Sequence, residues 1–91
     1  MKKEIITIQN VSGLHGRPAA LFVQEAKKFT SSISVRNADK DGECVNAKSV
    51  IRLLSASLSQ GTAIEIVAEG QDEDEAIAAL ITLIEEGFGE L

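Results

Sequence analysis

Two kinds of apolar pattern alternate along this 91-residue chain. Four short segments place apolar side chains at every second residue, which is typical of strands with one buried face. Three other segments repeat apolar residues at the 3.6-residue period of amphipathic helices. The resulting order, β-α-β-β-α-β-α, supplies one sheet and three helices that can cover one of its faces. The sequence therefore predicts an α+β two-layer sandwich in which residues 1–91 form a single domain.

The boundaries of the elements follow from turn and capping residues. The predicted strands cover residues 4–9, 32–37, a short segment at Cys44 and Val45, and residues 62–69. The first helix starts at Pro18, because a proline lacks the N–H that a first helical turn leaves unpaired. The second runs from Ala47 to Leu58 with Asn46 as its N-cap. The third follows a capping box of Asp72 and Glu75, and Gly87 ends it.

Composition excludes several classes of protein. A net charge of −5 without Trp or Tyr is unfavourable for nucleic-acid binding. No apolar run reaches the roughly 18–20 residues that span a bilayer, so we expect a cytoplasmic protein without membrane insertion. Cys44 is the only cysteine, which excludes an internal disulfide and a cysteine-cluster metal site. We therefore expect neither a metal nor a cofactor.

The charges are divided unevenly between the two parts of the chain. Residues 1–52 contain nine basic and five acidic residues, whereas residues 53–91 contain nine acidic residues and no basic one. The acidic part is interpreted either as a solvated face or as the counterpart of a basic site. In the second interpretation Arg17, Lys48 and Arg52 gather around an anion or an acidic partner. The two interpretations are compatible.

The single histidine lies in an unusual setting. His15 stands between two glycines and is followed by Arg17 and by a proline that starts a helix. A helix N-terminus presents unpaired N–H groups and attracts anions, phosphate in particular. Gly16 lets the backbone approach an anion closely, and the planar guanidinium of Arg17 can bind its oxygens. An imidazole is a competent nucleophile near pH 7, because its usual pKa is about 6.5. The segment thus predicts a histidine that accepts a phosphoryl group, although a loop or capping histidine is the alternative.

Two motifs resemble one protein family. Residues 13–20, GLHGRPAA, are similar to the active-site motif of the histidine-containing phosphocarrier, HPr, of the bacterial phosphoenolpyruvate:sugar phosphotransferase system. Residues 45–51, VNAKSVI, resemble the regulatory serine segment of that family. The resemblance extends over essentially the whole chain. It implies an open-faced sandwich with an antiparallel sheet of order 1-4-2-3, covered on one face by three helices.

The same resemblance implies a function and its partners. His15 would be phosphorylated by enzyme I, as pros-phosphohistidine, and would pass the group to enzyme IIA domains, so that the chain is a substrate of enzymes and not itself a catalyst. Ser12, Gly16 and Arg17 would bind the phosphate. We expect a monomer without bound nucleic acid. Because family members related to nitrogen regulation share parts of the sequence, a nitrogen-related or regulatory paralogue that acts through protein–protein contacts is the alternative. One regulatory homologue lacks the histidine, and His15 argues against that role.

Regulation and docking involve the second helix. Ser49, placed in the first turn if Asn46 is the N-cap, is the expected site of a regulatory phosphate added by HPr kinase/phosphorylase, and a catabolite-control regulator is a further expected partner. An ordinary first-turn serine is the alternative. The second helix carries more apolar surface than one sheet-facing stripe requires. The expected docking residues for protein partners are Ala20, Lys48, Val50, Ile51 and Leu54.

Overall fold

The helices and strands follow one another in the predicted order. The structure is a computed structural model that describes residues 1–90. Its elements are β1 (Lys2–Thr7), α1 (Gly16–Ala26), β2 (Ser32–Asn37), β3 (Val45–Asn46), α2 (Val50–Ser55), β4 (Ala63–Glu69), α3 (Glu73–Glu85) and a terminal 3₁₀ turn (Gly87–Gly89). Within residues 1–90 no helix combines the length and the apolar character that crossing a membrane requires.

The four strands form one antiparallel sheet. Their order is β1-β4-β2-β3, so β4 lies between β1 and β2. The register pairs Ile6 with Ile64 and Val35 with Ile66, which puts apolar side chains of neighbouring strands on the same face. The predicted fold class and strand order are therefore confirmed.

The core lies between the sheet and the three helices. Phe22 of α1, Leu53 of α2 and Leu80 of α3 are fully buried and share one hydrophobic cluster with the apolar face of the sheet. The opposite face of the sheet is not covered by any helix of residues 1–90, and Ile5 on that face is exposed. Burial on one face only explains the alternation of apolar and polar residues along the strands.

The predicted bounds of the second helix are wrong. Asn46 is the last residue of β3 and pairs with Ser34 across the sheet, so it cannot cap a helix. Its side chain instead accepts a hydrogen bond from the Lys48 N–H at 2.9 Å and forms a turn. The N-cap is Ser49, whose Oγ accepts from the Arg52 N–H at 3.3 Å. Ser49 therefore precedes the helix, which begins at Val50 and ends at Ser55.

The capping box predicted for α3 is also wrong. Asp72 is the N-cap residue, but its carboxylate makes no capping hydrogen bond. It accepts hydrogen bonds from the Thr30 N–H at 2.8 Å and the Ser31 N–H at 2.9 Å, and from both hydroxyl groups. The donors lie in the connection from α1 to β2, about forty residues away in sequence. They lower the pKa of Asp72 to about 2, the Ser31 hydroxyl contributing most. Asp72 thus ties the start of α3 to this connection.

Candidate functional site

His15 occupies the N-cap position of α1. Its backbone is extended, with φ −130° and ψ 159°, and its exposed side chain makes no capping hydrogen bond. The first helical residues are Gly16 and Arg17, whose N–H groups have no intrahelical acceptor by the geometry of a helix start. Pro18 is the third helical residue and adds no unpaired donor. The first turn contains no acidic residue, so no side chain of that turn neutralises the positive end of the helix dipole.

The two glycines that flank the Leu14-His15 pair have different roles. Gly13 and Gly16 both adopt left-handed backbone, with φ of 63° and 56°. A Cβ on Gly13 would lie 2.7 Å from the carbonyl oxygen of Leu58, whereas a Cβ on Gly16 would meet no atom within 4 Å. The Leu14 N–H donates to the same Leu58 carbonyl at 2.8 Å. The loop before His15 is therefore fixed to the segment after α2 by close backbone packing at Gly13.

Sequence reasoning missed one member of the site, Glu90. Its carboxylate accepts hydrogen bonds from the Ser12 N–H at 3.2 Å, the Ser12 Oγ at 2.9 Å and the Asn10 Nδ2 at 3.0 Å. The same Asn10 amide donates to the Gly13 carbonyl at 3.0 Å. Ser12 was predicted to bind phosphate, and in this structure its two donors bind a carboxylate of the chain itself.

The last described residues fold back because of their backbone conformation. Gly87, Phe88 and Gly89 all have positive φ, between 54° and 80°. Phe88 is only 4% exposed and belongs to the core cluster, so it anchors the segment. Gly87 ends α3 as predicted. In the sequence, two glycines around one phenylalanine indicate a tight turn after α3. This local pattern does not indicate which loop the Glu90 side chain contacts.

Arg17 is the cation nearest in sequence to His15. Its side chain is exposed, and among residues 1–90 no carboxylate lies within ion-pair distance of it. The pKa of Glu90 is lowered, chiefly by the hydrogen bond from Asn10 and by those from Ser12, with a smaller contribution from the charge of Arg17. Arg17 thus forms no ion pair with the described carboxylates, and its charge favours the ionised form of Glu90, the carboxylate that Ser12 binds.

An apolar patch is exposed on α2. Ile51 is 81% exposed, and Val50 and Leu54 are each 40% exposed, whereas Leu53 is buried in the core. The excess apolar surface predicted for this helix is therefore exposed on the side that faces away from the core. Leu58, the predicted end of the helix, lies beyond it and is buried. Ala20 on the neighbouring α1 is exposed as well.

Lys48 and Arg17 lie at opposite ends of the α1–α2 pair. The Lys48 ammonium donates to the Phe29 carbonyl, just after α1, at 2.7 Å. At the other end of the α2 segment, Leu58 contacts Leu14, just before α1. The two helices therefore run in opposite directions, and α1 separates their ends by about 16 Å at 1.5 Å per residue. The expectation that Lys48 joins Arg17 around one anion is wrong.

The site is an exposed surface and not a cavity. A groove of about 540 Å³ on this protein is lined by residues such as Ser32, Ser34 and Asn46 and does not include His15. Within residues 1–90 no three His, Cys, Asp or Glu side chains are grouped so that they would hold a metal ion. A nucleophile on an open surface is accessible to another macromolecule.

The sequence matches the family model "PTS HPr component phosphorylation site" over residues 2–86. The chain belongs to the HPr family. The phosphocarrier protein HPr of Borreliella burgdorferi is 46% identical over 93% of this chain and 94% of that protein. The HPr-like protein Crh of Halalkalibacterium halodurans is 47% identical over 93% of this chain and 98% of its own length. The crystal structure of HPr from Thermoanaerobacter tengcongensis superposes with a TM-score of 0.94, at 54% identity, over 100% of this chain and 99% of that one.

Solved HPr-family structures include dimers. A second T. tengcongensis structure is an HPr dimer, with a TM-score of 0.77 and 54% identity over 99% of this chain and 100% of that chain. Crh of Bacillus subtilis forms a swapped dimer, with a TM-score of 0.72 and 42% identity over 96% of this chain and 97% of that chain. These relatives argue against the expectation of a monomer.

Ser49 lies far from His15 in this HPr-family fold. It stands beside Lys48, at the end of α2 that is remote from the loop before α1. The separation is on the order of 15 Å, given the length of α1 between the two ends. This exceeds the Debye length of about 8 Å at physiological ionic strength, so charges at the two residues interact only weakly through water. A regulatory phosphate on Ser49 would therefore influence His15 only through a partner protein that contacts both residues.

Proposed function

We propose that the chain is a phosphoryl carrier, in which His15 accepts a phosphoryl group from phosphorylated enzyme I and passes it to enzyme IIA domains. The observation that supports this most is an exposed histidine at the un-neutralised N-terminus of α1. The lone pair of one imidazole nitrogen, Nδ1 in the pros form that the family uses, attacks phosphorus. The bond from phosphorus to the donor histidine breaks, and its electron pair stays on that donor. The ring proton of neutral His15 resides on the other nitrogen.

The neighbours of His15 stabilise the transferred group. Gly16 and Arg17 offer backbone N–H groups, and the Arg17 guanidinium offers a charge-assisted hydrogen bond. Gly16 adopts left-handed backbone next to His15, a conformation that glycine reaches at no steric cost. Ser12 supplies two further donors once its present carboxylate partner leaves. No step requires a metal or cofactor, and the chain acts as a substrate of phosphotransfer enzymes.

Docking uses the surface around His15. We propose that the exposed apolar residues of α2 and the exposed Ala20 of α1 contact enzyme I and enzyme IIA in turn. An interface gains stability from burying such apolar surface, and a shared surface lets one carrier serve successive partners. Lys48, remote from His15, belongs at most to the rim of this surface. From these proposed partners we infer a cytoplasmic location, and we propose that residues 1–91 form a single carrier domain.

The proposal is tested by incubating the chain with phosphoenolpyruvate and enzyme I, and then with an enzyme IIA domain. We expect one acid-labile phosphate per chain, which disappears from the chain as it appears on the IIA domain. Omitting enzyme I is the control and must abolish labelling. A chain that stays unlabelled with active enzyme I contradicts the carrier function.

A regulatory role is the second candidate, because Crh proteins are among the relatives at more than 40% identity. One of them is described as the Bacillus subtilis catabolite repression HPr. In this role a phosphate placed on Ser49 by a kinase would control binding to other proteins, including a catabolite-control regulator. Ser49 is half-buried but lies at a helix N-terminus, where added negative charge is favourable. The two roles are compatible in one chain.

Two variants separate the charge of a phosphate from the loss of the serine. Aspartate and asparagine both cap helices, so Ser49→Asp and Ser49→Asn should unfold at similar temperatures to the original chain. We expect only Ser49→Asp to slow phosphorylation by enzyme I, and added salt should reduce the difference. Equal rates for the two variants would show that a charge at Ser49 does not reach the docking surface.

A further inference from the structure

The hydrogen-bond donors of Ser12, in the loop before His15, already bind an anion of the chain itself. The proposed function requires Ser12 to bind the phosphoryl group, yet its N–H and Oγ are both occupied by the carboxylate of Glu90. Asn10, which is fully buried, donates to that carboxylate and to the Gly13 carbonyl. In the unphosphorylated protein, the donors of this loop are therefore occupied by the Glu90 carboxylate.

We propose that Glu90 is a positioning residue that holds the Asn10–Gly13 loop in the unphosphorylated protein, and that phosphorylation of His15 expels its carboxylate from Ser12. This inference rests on the proposed carrier function. It deepens that function, because the release of Glu90 from the loop would contribute to the free-energy change of phosphoryl transfer to and from His15.

The geometry makes expulsion inexpensive. Glu90 is exposed, so its carboxylate is rehydrated when it leaves, while the buried Phe88 keeps the backbone of the segment anchored. Asn10 retains its hydrogen bond to the Gly13 carbonyl at 3.0 Å, so the loop keeps one of its fixed contacts. The cost is confined to the three hydrogen bonds to Glu90, which a phosphoryl oxygen and water can replace.

Electrostatics supplies the reason for expulsion. A phosphoryl group adds up to two negative charges beside Arg17, whose charge presently acts on Glu90. The two anions would repel each other and compete for the same cation. The phosphorylated state is therefore raised in free energy relative to the unphosphorylated one, which makes His15 a better phosphoryl donor to the next protein.

The test compares Glu90→Gln with Glu86→Gln. Glutamine at position 90 keeps a carbonyl oxygen for Asn10 and Ser12 but removes the charge. Glu86 is exposed, and its side chain makes no hydrogen bond or ion pair among residues 1–90, so it controls for net charge alone. Both variants are first checked for an unchanged unfolding temperature. The equilibrium of phosphoryl exchange with enzyme I is then measured by quenched mixing, and the Ser12 amide is followed by NMR.

We expect Glu90→Gln to shift the equilibrium toward the phosphorylated chain by roughly three- to tenfold at low salt, and Glu86→Gln by less than about twofold. We also expect the Ser12 amide signal of the original chain to move on phosphorylation, and to move differently in Glu90→Gln. Equal equilibria in the two variants, or a Ser12 signal that does not move, would overturn the inference while leaving the carrier function intact. Absence of phosphate on the original chain would instead overturn the carrier function. If Glu90→Gln unfolds early, the salt dependence of the equilibrium in the original chain decides, since repulsion must weaken as salt rises.

Discussion

Alanine substitutions at Gly13 and Gly16 should destabilise the chain by different amounts, although both glycines share left-handed backbone beside His15. A side chain in that conformation costs about 1–2 kcal/mol, and this is the whole expected loss for Gly16→Ala because its Cβ would enter open space. At Gly13 the new Cβ would lie 2.7 Å from the Leu58 carbonyl oxygen and 2.8 Å from the Ser59 Cα. Backbone atoms must then move, and overpacking of this kind adds about 1–3 kcal/mol.

The expected losses in the free energy of unfolding are thus about 1–2 kcal/mol for Gly16→Ala and about 2–5 kcal/mol for Gly13→Ala. Movement of the Leu58 carbonyl also weakens the hydrogen bond that it accepts from Leu14. Urea denaturation followed by circular dichroism measures both values. In a domain of this size, 1 kcal/mol corresponds to a shift of about 4–8 °C in Tm. Equal losses at the two positions, or a larger loss at Gly16, would refute the packing of the loop against the segment after α2.

Three further substitutions probe the site, the surface and the fold. Arg17→Ala should slow phosphotransfer about tenfold to a hundredfold with little change in Tm, since a charge-assisted hydrogen bond contributes about 1.5–3 kcal/mol. If stopped-flow measurements show the original transfer rate, a hydrogen bond from Arg17 to the phosphoryl group is excluded. Ile51→Glu should weaken enzyme I binding about tenfold or more by calorimetry without changing the circular dichroism spectrum, whereas Ile5→Glu, on the uncovered sheet face, should not. Asp72→Asn should flatten the pH dependence of the free energy of unfolding between about pH 4 and pH 2. The pKa of Asp72 is about 2 in the folded chain and 3.8 ordinarily, so the stability that this carboxylate contributes is present above pH 4 and is lost as pH falls through 2. An unchanged slope in the variant would contradict this.

The fold was predictable because burial on one face imposes a pattern that every strand repeats. Ile64, Ile66 and Ala68 of β4 alternate with exposed or half-exposed residues, and all three are fully buried. The bounds of α2 were not predictable in the same way. Asn46 and Ser49 are both good N-caps by residue type, and only the pairing of Asn46 with Ser34 in the sheet decides between them. A long-range contact thus overrides a local preference.

The residues of the site also differ in whether the local sequence or a long-range contact determines their position. His15, Gly16 and Arg17 are contiguous, so their placement at a helix N-terminus follows from local sequence and is found in the structure. Glu90 is about eighty residues from Asn10 and Ser12, and no local pattern connects them. Asp72 shows the reverse case, since its capping pattern is present but its carboxylate binds Thr30 and Ser31. Carboxylates bind whichever N–H groups the tertiary fold leaves unpaired, and the sequence alone does not reveal these.

The most direct test of the account is to locate the phosphate after reaction with phosphoenolpyruvate and enzyme I. The original chain and His15→Ala are phosphorylated side by side, their folds are compared by circular dichroism, and the label is measured by ³¹P NMR at neutral pH and again after acid treatment. We expect one acid-labile phosphohistidine signal in the original chain and none in a folded His15→Ala. Undiminished labelling of His15→Ala would contradict the assignment of His15 as the phosphoryl acceptor.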